Sequence, residues 1–165
     1  MGTTVNGLKP THPVGEQFRR NVWGWTPLFN YIVEKHTKYE KNFLEQALTK
    51  LQASKLADLL FEDIASGIAQ EYADKFTKKL ETLKKLKCEI CDGTGIRTDA
   101  VGVEQGMDTR KLVPLLAEQV GRDSGWCNGC GGYGEKKSLE AEYYLEVEDI
   151  QEFAEFLKNS GGANW

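Results

Sequence analysis

The feature that most constrains this chain is a short cysteine motif that occurs twice. The segments CEICDGTG at 88–95 and CNGCGGYG at 127–134 both fit the pattern CxxCxGxG. Two residues between the thiols let one tight turn present both sulfur atoms to the same metal ion. Glycines suit such a turn because they adopt a positive φ at little steric cost. We call 88–95 the first knuckle and 127–134 the second knuckle.

The two knuckles together predict one structural Zn²⁺ per chain, bound by four thiolates. Two alternatives remain open. A pair of disulfides would need an oxidising compartment, and a thioredoxin-like redox site usually has a single CxxC at a strand-to-helix turn. We expect Trp126, just before the second knuckle, to cover the metal. The predicted ligands, which are all the cysteines of the chain, are Cys88, Cys91, Cys127 and Cys130.

The stretch between Cys91 and Cys127, residues 92–126, is longer than the separation of about 15 to 20 residues typical of zinc ribbons. It must leave and return to nearly the same point, which makes it a candidate binding surface clamped at its base. Its segment DTRKLVPLLAEQVG predicts a short helix that Pro114 starts or kinks and Gly121 ends.

The knuckles resemble the CxxCxGxG repeats of the cysteine-rich domain of DnaJ-type chaperones. That family carries four repeats and two zinc ions, whereas this chain has two repeats, enough for one. The sequence has no J-domain His-Pro-Asp tripeptide, so the resemblance implies zinc ligation without co-chaperone activity. More loosely, FRRNVWGWTPL, GWCNGCGGYG and DIQEFAEFLKNSGG resemble small uncharacterised proteins of bacteria and their phages, which raises the expectation of a phage accessory or host-directed protein.

The rest of the chain has mainly helical periodicity and predicts an α+β protein that is mostly α. Apolar residues at steps of three and four predict helices over about 39–52 and 54–86, the second a long amphipathic helix bent near Gly67. Ser54 is the expected N-cap of that second helix. An earlier helix is expected to begin near Thr26 with Pro27 at its first position.

The ends of the chain predict simpler elements. Residues 1–16 suggest an extended or loosely ordered lead-in. Alternating apolar residues over 139–145 predict a short strand, and a C-terminal helix follows, ended by Gly161-Gly162. We therefore divide the chain into an N-terminal aromatic and helical region (1–87), a zinc-stapled lobe with its insert (88–134), and a strand and helix packing on the core (135–165).

The sequence offers no convincing set of catalytic groups, so we expect a protein that is not an enzyme. Four thiolates close a zinc site, whereas catalytic zinc keeps an open position. The HxE and PCxxC pair of deaminases and the glycine-rich phosphate loops are missing. We expect His12 and His36 to be ordinary surface histidines, and Asp92 and Asp99 to be turn formers.

An aromatic segment supplies candidate contacts to a nucleotide or nucleic acid, namely Arg19, Arg20, Trp23 and Trp25. The competing interpretation is that these rings fill the core. A formal net charge of −4 argues against wrapping duplex nucleic acid. A local basic patch or the solvated face of a helix would explain six lysines before the first knuckle: Lys75, Lys78, Lys79, Lys84, Lys85 and Lys87.

The leading hypothesis is a non-enzymatic zinc-binding interaction protein whose partner is another protein, such as a host protein inhibited or adapted in a phage setting. The alternative is nucleotide or nucleic-acid binding through the aromatic segment and the lysine-rich helix. A zinc-dependent hydrolase or redox enzyme is the least supported. No run of 18 apolar residues suggests a membrane span, so we expect a cytoplasmic protein. The long apolar stripe could pack within the monomer or form a homo-oligomer.

Overall fold

The computed structural model describes residues 2–165. Within this range the chain is an α+β protein that is mostly α, as predicted. None of the helices in the described range is both long and apolar enough to cross a bilayer. The helices and strands, in chain order, are β1 (Gly2–Gly7), β2 (Gln17–Asn21), α1 (Val22–Lys35), α2 (Glu40–Leu44), β3 (Ala47–Leu48), α3 (Lys50–Ala65), α4 (Ile68–Glu81), β4 (Leu86–Lys87), α5 (Ala100–Glu104), α6 (Pro114–Val120), β5 (Glu135–Lys136), α7 (Val147–Asn159) and β6 (Ala163–Asn164).

These elements group into two compact units. One consists of Met1–Thr82 together with Ala141–Trp165, and the other of Leu83–Glu140. We call the first the helical unit and the second the cysteine lobe. Each is described by itself below.

The helical unit contains a four-stranded antiparallel sheet with the order β2-β1-β6-β3. Strand β1 pairs with β2 from Gly2 to Asn6, but β6 lies opposite only Asn6 and Gly7 on the other side of β1. Of the two alternatives for the lead-in, extended or loosely ordered, the extended one is correct over residues 2–7, where the backbone hydrogen bonds of β1 tie the chain into the sheet. The alternation that marks a strand is weak there, and Val5 is its only fully buried side chain.

The core of the helical unit lies between the helices and this sheet, and α3 packs closely against α7. The predicted C-terminal helix is confirmed as α7, with a capping box between Glu146 and Asp149 at its start. Its apolar face is buried as the 3.6-residue period requires. Aromatic rings meet at this core with centroid separations of 4.9 to 6.5 Å, and they belong to Phe18, Trp25, Phe43, Phe153, Phe156 and Trp165.

The predicted helix over 39–52 is wrong. Helix α2 ends at Leu44, and Gln46 adopts a left-handed conformation with φ of 55° that turns the chain into β3. The next helix starts four residues before the expected cap. Thr49 and Gln52 form a capping box at the start of α3, so Ser54 lies inside the helix.

The predicted helix over 54–86 is divided into α3 and α4. Gly67 has a φ of 82°, which places it in the left-handed region and ends one helix before the other begins. The expected bend at this glycine is therefore a break. The side chain of Leu51, an apolar residue of the predicted helix over 39–52, is 63% exposed.

Two further boundaries differ from the predictions. Helix α1 begins at Val22, where the Oδ1 atom of Asn21 accepts a hydrogen bond of 3.0 Å from the amide of Gly24. Pro27 consequently lies inside the helix and not at its first position. The strand expected over 139–145 is wrong, because a 3₁₀ turn occupies Leu139–Glu142.

Candidate metal centre

The four cysteine sulfur atoms of the cysteine lobe lie within 4.8 Å of one another. The Sγ atoms of Cys88 and Cys127 are 4.0 Å apart, and those of Cys91 and Cys130 are 3.7 Å apart. A tetrahedron with Zn–S bonds of about 2.3 Å has edges of about 3.8 Å. All four cysteines are free thiols, so no disulfide forms among them. The cluster can hold a metal ion, and its geometry suggests a zinc-binding site.

The two knuckles have nearly the same backbone geometry. The amide of Gly95 donates to the Sγ atom of Cys91, and the amide of Gly134 donates to the Sγ atom of Cys130, both at 3.2 Å. Each bond spans four residues and joins the last glycine of a knuckle to its second cysteine. N–H groups directed at sulfur stabilise the thiolate form, which is the form that binds a metal.

The last glycine of each knuckle is required for two reasons. Gly95 and Gly134 have φ values of 78° and 79°, which favour glycine. A Cβ atom on Gly95 would lie 2.3 Å from the carbonyl oxygen of Gly132, and one on Gly134 would lie 2.3 Å from that of Gly93. These reciprocal contacts show that the knuckles pack against each other through backbone, as the two halves of one site.

Arg122 connects the two knuckles directly. Its Nη2 atom donates hydrogen bonds to the carbonyl oxygens of Gly95, at 3.0 Å, and Gly132, at 2.6 Å. Its Nε atom is buried and has no hydrogen-bond partner among the described residues. The sequence analysis missed this arginine, because it lies in the insert and belongs to no motif.

The insert leaves and returns to one place, as predicted. The amide of Arg97 donates to the carbonyl of Trp126 at 3.1 Å, which closes the insert at its base. Further along, the amide of Leu112 donates to the carbonyl of Asp123 at 2.9 Å. Outside the knuckles, β4 and β5 pair as a two-stranded ribbon. The short helix predicted in the insert is confirmed as α6, and Gly121 ends it with a φ of 68°.

Trp126 lies beside the second knuckle. Its Cδ1 atom would be 3.3 Å from a Cβ atom placed on Gly132, and the guanidinium of Arg110 lies over its ring at 4.5 Å from the centroid. The indole is half-buried. It therefore contacts the turn that carries Cys130, while its role as a cover over the metal stays a prediction.

The thiols differ in acidity without a metal. Burial raises the pKa of Cys88, but hydrogen bonds from the backbone and thiol of Cys91 and from the backbone of Ile90 outweigh it and bring the pKa to about 7. Burial raises the pKa of Cys130 to about 12, and it also raises the pKa of Cys127. Several thiolates about 4 Å apart repel one another, so a divalent cation is what allows all four to ionise together.

The two acidic residues near the first knuckle are turn formers, as expected. The Oδ1 atom of Asp99 accepts a hydrogen bond from the amide of Gly102 and caps α5, and the same carboxylate pairs with Arg97. Asp92 adopts a φ of 49° within the knuckle and pairs with Lys87 at 2.6 Å.

The candidate nucleic-acid contacts are spread over different environments in the helical unit. Arg19 is exposed, whereas Arg20 forms ion pairs with Asp149, at 3.0 Å, and with Glu152. Trp25 is in the core, 8% exposed. Trp23 is half-buried and packs edge-on against Tyr143, with ring centroids 5.2 Å apart. The four side chains therefore do not form a single stacking platform.

The lysine-rich segment is exposed and mixed in charge. All six lysines named in the sequence analysis are exposed. Lys75 pairs with Glu71 at 2.6 Å on α4, and Lys87 pairs with Asp92. For the lysines on α4, the solvated face of a helix is the better description.

A buried polar cluster in the helical unit escaped the sequence analysis. The hydroxyl of Tyr31 donates to the Oδ2 atom of Asp63 at 2.6 Å, and the Nε2 atom of His36 lies 2.8 Å from the same oxygen. The His36 side chain is only 10% exposed, so the expected surface histidine is wrong. His12 is exposed, as expected, and its Nδ1 atom accepts from the amide of Val14. Only the helical register of α1 against α3 brings Asp63 to Tyr31, and no local pattern signals that pairing.

Comparison with known proteins gives no relative on which to rest a function: the chain matches no protein-family model, no curated protein and no solved structure.

Proposed function

We propose that this chain is a zinc-binding interaction protein without enzymatic activity. The observation that carries the proposal is the cluster of four thiols within 4.8 Å, built from two knuckles whose glycines pack reciprocally. Zn²⁺ is the metal that four tetrahedral thiolates most often hold in proteins. With all four positions taken by sulfur, the ion has no site for water or substrate and acts on the fold.

The surface of the cysteine lobe supports a role in binding another protein. The insert has apolar side chains that are not buried. Val113, just before α6, is 65% exposed, and Leu115, on α6, is 68% exposed. Val103 on α5 is 53% exposed. Large apolar side chains exposed close together on one short segment are typical of a protein contact surface.

The resemblance to small phage proteins extends this proposal to a host protein as the partner. A nucleic-acid role has less support, because Arg20 forms an ion pair with Asp149 and Trp25 is buried in the core.

Native mass spectrometry of the purified protein, with and without a chelator, tests the metal. One zinc ion per chain is the expected result, and a metal-free chain with intact thiols would contradict it. The same spectra give the oligomeric state.

A comparison of surface variants tests the interaction. The combined substitution Val113→Glu and Leu115→Glu should remove partners that the zinc-loaded protein retains from a host extract, while Leu51→Glu, at an equally exposed leucine of α3, should not. Turnover of a nucleotide or nucleic acid by the zinc-loaded protein would overturn the non-enzymatic assignment. A gel shift that weakens steeply with salt would favour the nucleic-acid alternative.

A further inference from the structure

We propose that the helical unit binds an extended peptide segment of another protein, which adds as a strand to the open edge of β1. The inference goes beyond the proposed function, because its site lies outside the cysteine lobe and uses none of the cysteines. It rests on the hydrogen-bonding direction of β1, on a cleft beside this strand, and on the residues that line the cleft.

The position beside β1 in the sheet is only partly filled. Asn164 lies opposite Asn6 and Ala163 lies opposite Gly7, so β6 covers one end of β1. Among residues 2–165, no strand pairs with the other end of β1 on this side, whereas β2 pairs with it on the opposite side. Strand β3 pairs only with Ala163 and Asn164, so within residues 2–165 it does not extend along the far side of the gap.

The direction of the backbone groups follows from two hydrogen bonds. The amide of Gly7 donates to the carbonyl of Glu16 at 2.9 Å, so odd-numbered residues of β1 direct their backbone groups to β2. The amide of Leu8 donates to the carbonyl of Gly162 at 2.9 Å, so even-numbered residues direct theirs to the side of β6. By this alternation Thr4 presents its N–H and C=O to the gap. An N–H and a C=O that lack partners on the same side of a strand are the template for an added strand.

A cleft of about 460 Å³ occupies the gap. Besides the backbone of β1 it is lined by four aromatic residues, of which Trp25 and Phe43 are almost fully buried, and none of the residues that line it has a charged side chain. Leu44, one of its lining residues, is 69% exposed although it is large and apolar. The lining residues are Gly2, Thr3, Thr4, Trp25, Phe29, Phe43, Leu44, Gln46 and Trp165.

The alternation of side chains defines what the occupant must offer. Val5 is fully buried, so the odd-numbered side chains of β1 face the core. Residues directly opposite each other in an antiparallel pair share a face. The peptide residue opposite Thr4 would therefore pair through its backbone, and its neighbour opposite Thr3 would direct an apolar side chain towards the aromatic lining. The partner segment is extended and uncharged at that position.

The test uses fluorescein-labelled hexapeptides and the full-length, metal-loaded protein. The peptides alternate threonine with Val, Leu, Ile, Phe or Trp, and the matched peptides carry Asp at the apolar positions. We expect at least one apolar peptide to bind with a Kd at or below about 100 µM in fluorescence anisotropy, and the Asp peptides to bind at least tenfold more weakly. We also expect hydrogen exchange of the Thr4 amide to slow at least tenfold on binding. Failure of every apolar peptide to bind below about 1 mM would overturn the proposal.

Strand addition has a signature that side-chain binding lacks. Only every second amide of an added strand faces β1. Methylation of the peptide nitrogens at either the odd or the even positions should therefore abolish binding, and methylation at the other set of positions should leave binding intact. Equal tolerance of both sets would overturn the proposal.

Two exposed leucines provide matched variants. Leu44→Glu should weaken peptide binding at least tenfold, while Leu51→Glu, at a leucine of similar exposure outside the cleft, should leave it unchanged. Equal effects of the two substitutions, or self-association that Leu44→Glu abolishes and the peptide blocks, would overturn a partner peptide as the occupant. Metal content reports separately on the zinc proposal, so the two can fail independently.

Discussion

The backbone amide of Tyr144 donates a hydrogen bond of 3.2 Å to the carbonyl oxygen of Trp23. Trp23 lies four residues before Pro27, and proline has no N–H with which to make the helical bond to that carbonyl. A segment distant in sequence thus supplies the donor that α1 lacks. This bond explains how the helix continues through Pro27 from its start at Val22.

This relationship can be measured with a double-mutant cycle. Tyr144→Pro removes the amide donor, and Tyr144→Ala is its control because it keeps the amide. We expect Tyr144→Pro to be less stable than Tyr144→Ala by about 1 to 3 kcal/mol, the cost of leaving the Trp23 carbonyl without a partner. In a Pro27→Ala background, where the helix regains its own donor, the difference should shrink. Urea unfolding measures all four variants, and an undiminished difference would contradict the assignment.

Loss of one cysteine should release the metal and unfold the cysteine lobe. Cys130→Ser removes one of four thiolates, and the binding energy of a structural metal is folding energy for the part that it holds together. We expect substoichiometric zinc by mass spectrometry and rapid proteolysis within residues 83–140. The exposed Ser124→Ala in the same lobe serves as the control and should keep one zinc ion. A metal-free Cys130→Ser protein with a protease-resistant lobe would refute a structural role for the metal.

A pair of glycine substitutions separates backbone strain from close packing. Gly106 and Gly134 both have positive φ, 63° and 79°, but a Cβ atom on Gly106 meets nothing within 4 Å. A Cβ atom on Gly134 would lie 2.3 Å from the carbonyl oxygen of Gly93 in the first knuckle. Gly106→Ala should lower the free energy of unfolding by about 1 to 2 kcal/mol, because alanine is strained in a left-handed backbone conformation. Gly134→Ala should cost more, and it should also accelerate zinc loss to a chelator at least tenfold. Equal zinc-loss rates would contradict the reciprocal packing.

The buried cluster in the helical unit predicts a stability effect. Burial first, and then the hydrogen bond to Asp63, raise the pKa of Tyr31 well above its ordinary value, so the hydroxyl remains a donor. Asp63→Ala leaves the Tyr31 hydroxyl and the His36 ring without their shared partner, and we expect a loss of about 2 to 4 kcal/mol. Asp58→Ala removes an exposed carboxylate of α3 that pairs with Lys158, and it should cost at most about 1 kcal/mol. Thermal unfolding that affects both variants equally would show that the cluster contributes no special stability.

Sequence patterns predicted the features whose causes are local. Each knuckle has its thiols and glycines within eight residues. Helix α6 starts with a proline and is ended by a glycine, and the buried residues of α7 recur with the period of a helix. In each of these cases the residues that fix the structure are neighbours in the chain.

The features that depend on distant partners were missed. The continuation of α1 through Pro27 involves the Tyr144 amide, and the pairing of β1 depends on β2 and β6. Gln46 adopts a left-handed conformation that non-glycine residues seldom adopt. The apolar periodicity contains no signal of it, so it predicted a helix through this residue. The same holds for the metal centre: the local motif predicted the thiols, but it did not predict the arginine that bridges the two knuckles.

Arg122 should control how long the metal stays bound. Its Nη2 atom bridges the carbonyl oxygens of Gly95 and Gly132, one from each knuckle, so it resists their separation without touching the sulfur atoms. Lysine replaces the rigidly positioned guanidinium with a flexible and more strongly hydrated ammonium, so it should maintain this bridge less well. We expect Arg122→Lys and Arg122→Ala to keep one zinc ion per chain but to release it to a chelator about tenfold faster, an effect of about 1.4 kcal/mol on the barrier. Arg110→Ala is the matched control, because that arginine lies over Trp126 in the same lobe and makes no bond to either knuckle among the described contacts. Release rates that change equally in the Arg110 and Arg122 variants would assign the effect to general loosening of the insert and would rule out the bridge.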